Sequence, residues 1–84
     1  MNTLALLYAE RAYLSFRLSA MPEAQADLAK ALSLAPASDL ARYVQMLLDP
    51  SRPRPEDAQL EAARDAAADE PLWQAILTDL LAAP

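Results

Sequence analysis

Apolar residues recur along this chain at spacings of three and four, and each run breaks at a proline. That period belongs to helices whose side chains return to one face every turn. Leu4, Leu7, Leu14 and Leu18 form such a stripe on a helix over about residues 3–19. Leu6, Tyr13 and Phe16 lie off it, so this helix is apolar nearly all round. Pro22 suits the opening of a second helix that ends near Leu34, with Glu23 favourably placed in its first turn. Ser38 is an N-cap beside Asp39 for a third helix, ending near Leu48, with Leu40, Val44, Leu47 and Leu48 as its buried stripe. The segment DPSRPRP then forms a stiff, polar connection. A fourth helix is expected from Pro55 to about Ala68, with Glu56 and Asp57 in its first turn. The last starts at Glu70 and Pro71, and Leu72, Trp73, Ile76, Leu77, Leu80 and Leu81 give it a broad apolar face. Helices this short are marginal alone in water and must pack on one another. The expected class is all-α, with about five antiparallel helices.

Composition narrows the chemistry. The 84 residues contain no Gly, no Cys and no His. Glycine phosphate loops, glycine helix caps, disulfides and thiolate ligands are thereby excluded, as is the usual general base near neutral pH. One Val and one Ile stand among abundant Ala and Leu, which favours helix over strand. So short a chain forms one domain with a small core.

Charge is unevenly placed. Through Leu48, four basic residues balance four acidic ones; from Asp49 onward three Arg meet eight carboxylates, which accounts for the net charge of −5. That balance argues against nucleic acid and anionic membranes as partners. The opening MNTLALLYAERAY is interrupted by Glu10 and Arg11 and lacks a basic start, so no secretory signal is expected. No run is long enough for a membrane span. A cytoplasmic location is expected, and six Arg against one Lys in an Ala-rich chain points to a bacterial gene.

The string PEAQADLAKALSLAP (22–36) returns as EDAQLEAARDAAADEP (56–71). A shift of 34 positions lays Glu23 on Asp57, Gln25 on Gln59, Asp27 on Glu61 and Lys30 on Arg64. The acid–base pairs Asp27/Lys30 and Glu61/Arg64 recur with it. A period near 34 with two helices per unit marks one solenoid class. Over residues 5–38 the chain resembles a tetratricopeptide repeat protein: Ala24, Leu28, Ala31 and Pro36 fall on signature positions, and Tyr8 on the large first-helix position. Ala12, Ser15 and Arg11 depart from the family pattern, and the second unit matches it less well. The resemblance implies repeat-like units over 3–36 and 38–69 and a capping helix over 70–82.

No catalytic set emerges, and no metal or cofactor is expected. The acidic pairs Glu56/Asp57 and Asp69/Glu70 sit at helix starts, where carboxylates are favoured for dipole reasons. The serines have no His to activate them. In the family, ligands lie along the first helix of each repeat. Carried over, the resemblance implies a partner-binding face of Leu6, Ala9, Tyr13, Phe16 and Arg17, joined by Ala41, Gln45, Leu48 and Asp49. Trp73 is expected in the core. The leading expectation is a non-enzymatic protein-interaction module, a small adaptor or secretion-type chaperone holding an amphipathic segment of another protein. The alternatives are an acidic inhibitor, immunity protein or antitoxin, and a structural homo-oligomer in which Tyr13 and Phe16 meet their symmetry mates.

Overall fold

A computed structural model describes residues 3–83. Five helices account for the regular structure of that span: α1 (Thr3–Arg17), α2 (Met21–Leu34), α3 (Asp39–Leu48), α4 (Asp57–Ala66) and α5 (Pro71–Ala82). The all-α class is as expected.

Helix ends follow local chemistry. Ser38 caps α3 by accepting the Ala41 N–H at 3.3 Å. The end of α1 is less orthodox. Ser19 takes φ 61°, and its N–H reaches the Phe16 carbonyl at 3.0 Å while the Ala20 N–H reaches Ser15 at 2.8 Å. That bond pair is the capping motif that normally uses glycine in the left-handed position. With no Gly in the chain, a serine bears the Cβ strain. Helix α4 begins later than Pro55 suggested. Glu56 is extended (φ −64°, ψ 155°), and its carbonyl accepts the first bonds of the helix, from the Gln59 and Leu60 N–H groups.

The core draws on every helix. Leu40, Val44 and Leu47 of α3 meet Ile76, Leu77 and Leu80 of α5, with Leu28 of α2, Tyr13 of α1 and Leu60 of α4 closing the cluster. Leu48 is half-buried at its edge. Helices α1 and α2 pack on each other more extensively than any other pair, and α3 touches α1, α2 and α5. Helix α4 lies against α5 and, within its own span, buries one side chain, Leu60.

The orientation of α1 differs from the sequence expectation. Its buried residues are Ala5, Ala9, Ala12 and Tyr13. The leucine stripe, and not the expected partner-binding face, lies outside: Leu4 is 51% exposed, Leu7 55%, Leu14 48% and Leu18 80%. At about 100° per residue the two sets occupy opposite sides of the helix. The reason is steric. Partner α2 buries Ala24, Leu28 and Ala31, and alanine surfaces let two helices approach more closely than leucines would. The same face carries Tyr13 and Phe16 toward the remaining core, which a leucine-inward α1 would leave outside.

Two stability measurements check this account. Leu60→Ala should cost about 3 kcal/mol in urea denaturation, and hydrogen exchange should show α4 amides losing protection before those of α1 and α2. Ser19→Gly should relieve about 0.5–1 kcal/mol net of the greater freedom of glycine in the unfolded chain. A rise in Tm of about 4 °C is expected.

Candidate functional site

The residues of the expected partner-binding face are brought together, but largely against the chain itself. Ala9 and Ala41 are fully buried and Tyr13 is 3% exposed. Leu6, Phe16 and Leu48 pack half-buried against the core cluster. Helix α5 covers this side: the Tyr13 hydroxyl donates to Asp79 Oδ2 at 2.7 Å, and Arg17 Nη1 reaches the same carboxylate at 2.9 and 3.2 Å. Burial, followed by the bond to Asp79, pushes the Tyr13 phenol up and keeps it a donor. A docking face built on Ala9, Tyr13 and Ala41 is therefore corrected, because their side chains are already enclosed. Gln45 is half-buried and lines a groove with Arg42 and Met46, while Asp49 is exposed and accepts from Ser51. Trp73 packs on the core as expected and meets Tyr43 edge-on at 6.1 Å.

What the chain leaves open is the opposite face of α1. Leu4, Leu7 and Leu14, with Leu72 of α5, Tyr8 and Arg11, border a shallow groove of about 450 Å³. Leu18 continues the line, its N–H still bonded to the Leu14 carbonyl at 3.1 Å. The spacing 4, 7, 11, 14, 18 alternates three and four, which places leucines and Arg11 on one narrow seam.

Arg11 is held there by Asp27. Its Nε and Nη2 donate to the two oxygens of Asp27 at 2.8 and 2.7 Å, a bidentate pair that ties α1 to α2. The guanidinium also sits 5.2 Å from the centre of the Tyr8 ring. Asp27 is nearly buried, and the Arg11 hydrogen bond lowers its carboxyl below the ordinary 3.8. The expected Asp27–Lys30 and Glu61–Arg64 pairs do not form among the described residues. Asp27 faces inward, toward α1, where a bidentate arginine is the better partner for a desolvated carboxylate. At the rim of the groove, burial and then the charge of Glu70 push the Glu10 carboxyl up.

The acidic pairs stand at helix starts. Glu56 and Glu70 are the N-cap residues of α4 and α5, although neither side chain makes a capping bond. Among the described residues no His, Cys, Asp or Glu cluster could hold a metal ion. No helix of the described residues is long and apolar enough to cross a membrane.

Arg54 has a role that nothing in the local sequence marks. From the proline-rich connection it donates to the carbonyls of Leu80 and Ala83, the latter at 3.1 Å, and so closes the C-terminal end of α5. Its place three residues before a helix start gives no hint of a partner 26 residues away.

No protein family model matches the chain, and neither a curated protein nor a solved structure does.

The Arg11–Asp27 pair makes a pH prediction. A carboxyl held below its ordinary value stabilises the fold in full above that value and loses the contribution as pH falls through the lower, folded one. Asp27→Asn should lower Tm at neutral pH, and the gap to the parent chain should narrow below about pH 4. Thermal melts of both proteins across pH 2–7 check it. A gap independent of pH would show that Asp27 acts through packing alone.

Proposed function

We propose that the chain is a non-enzymatic protein-interaction module that holds an amphipathic helix of a partner along the outward face of α1. One observation carries this reading: Leu4, Leu7, Leu14 and Leu18 are each about half exposed or more, in three–four spacing, on the side of α1 away from the core. A two-in-seven apolar line is the seam by which one helix takes another, narrower than the face a helix turns to a globular core. From Leu4 to Leu18 it runs about 21 Å, roughly four turns.

Magnitudes bear on the partner. Covering what remains exposed of four leucines contributes about 4–6 kcal/mol, close to the lower bound of what association costs. The leucine line alone would therefore hold a partner only weakly, and a partner needs side chains that also enter the groove beside Leu72. Arg11, anchored by Asp27, supplies register as a single polar residue in an apolar seam. The packing of α1 on α2, with α3 against both, supports the first repeat-like unit of the tetratricopeptide-like reading. Within this reading the protein acts as a small adaptor or chaperone, and the groove lies on the outer side of the first helix instead of the inner one.

A second reading rests on α4, where Asp57, Glu61 and Asp65 are all exposed at intervals of four. Such a carboxylate line supports an acidic inhibitor that covers a basic site. Salt separates the two, since binding through leucines persists at high ionic strength and charge mimicry does not.

The test compares the parent chain with Leu7→Glu/Leu14→Glu. Both sites are exposed, so stability should change by no more than about 1 kcal/mol. Tagged parent protein should capture a partner whose minimal binding segment is a helix with three–four apolar spacing, and the double variant should lose it. A partner retained by the double variant would place binding elsewhere. Sedimentation velocity of the isolated chain shows whether the partner is a second copy.

A further inference from the structure

Basic residues are few in this acidic chain, and four of its seven gather on one side. Arg17, Arg52 and Arg54 border a trough of about 540 Å³ whose half-buried apolar lining is Phe16 and Met46. Met46 and Arg52 are shared with an adjoining hollow of about 410 Å³, bordered on its far side by Arg42. The two together make a track that runs from α5 across α3 to the end of α2.

Charge there is only partly compensated. Arg17 is paired with Asp79, and Arg52 lies 3.6 Å from Asp49 with about half of each side chain in solvent. Arg54 makes its bonds to backbone carbonyls, and Arg42 has no carboxylate partner among the described residues. Four guanidiniums against two carboxylates leave a local excess of two positive charges on a protein of net −5. The floor is apolar, so a free inorganic anion would leave it uncovered. An enclosed tunnel would suit an acyl chain; this track is open and continues past Met46, which suits an extended backbone.

We propose that the track is a second binding site, taking an acidic peptide segment. Its carboxylates meet Arg42, Arg52 and Arg54, and its apolar side chains settle on Phe16 and Met46. Guanidinium–carboxylate forks set direction and register, while burial of the apolar side chains supplies the sequence preference. The site is independent of the α1 seam: no leucine of that seam borders it.

The experiment uses the full chain, labelled with nitrogen-15, and a synthetic peptide of about ten residues alternating Asp and Leu. Amide shifts are expected at Met46, Leu47 and Leu80, with none along Leu4, Leu7 and Leu14. Arg42→Glu/Arg52→Glu should weaken binding at least about tenfold, as should raising salt from about 50 to about 300 mM. Both arginines are exposed, so circular dichroism should be unchanged; if it is not, Arg42→Gln/Arg52→Gln takes the place of the charge reversal. An Asp/Ser peptide or polyphosphate binding as tightly would reduce the track to a general anion patch and overturn the proposal. So would shifts that map to the α1 seam, equal binding of a Lys/Leu peptide, or arginine-dependent self-association as the sole interaction.

Discussion

Which side of α1 faces inward decides most of this molecule. Ala5, Ala9 and Ala12 are essentially inaccessible, as are Ala24 and Ala31 on α2. Where small residues meet, helix axes come close, and dispersion between many backbone and Cβ atoms replaces the interlocking of large side chains. Arg11 and Asp27 then pin the same pair through two charge-assisted bonds. Once that contact exists, Tyr13 is directed at α5 and the leucine line is directed at water. An exposed seam is thus a consequence of how the first two helices fit together.

The remaining helices are tied to this pair by a few polar contacts and one apolar cluster. Asp79 receives both Tyr13 and Arg17 and so ties α5 to α1. Arg54 reaches from the proline-rich connection to the end of α5 and joins the path between α3 and α4 to the last helix. Helix α4, composed largely of alanine and charge, is attached through Leu60. Stability in so small a domain is a narrow balance, and α4 is where the fewest buried contacts hold the chain. The two outward surfaces follow from the same arrangement, one apolar along α1 and one cationic over Met46.

Much of the architecture was legible beforehand. Prolines and the cap at Ser38 marked the helix boundaries within a few residues, and the buried stripe of α3 was read nearly as it stands. Trp73 on the core and the acidic pairs at helix starts also match the sequence expectation. The α1 face was not. A stripe of four leucines is the stronger apolar signal by side-chain size, and it pointed the wrong way. Alanine carries little hydrophobic signal in a sequence, yet close approach depends on its small volume. Lys30 is the basic neighbour of Asp27 along its own helix, yet the partner of Asp27 lies sixteen residues away on another.

By itself, then, the sequence determined that this chain is helical, where its helices break, and which chemistries its missing Gly, Cys and His exclude. It also determined that α1 has apolar residues on both sides. Only the tertiary structure decided which of those sides is covered, because that choice depends on the shape of the surface opposite, and periodicity within one helix contains no information about its neighbour. The grouping of Arg17, Arg42, Arg52 and Arg54 was decided in the same way, by a path that folds four distant positions onto one side.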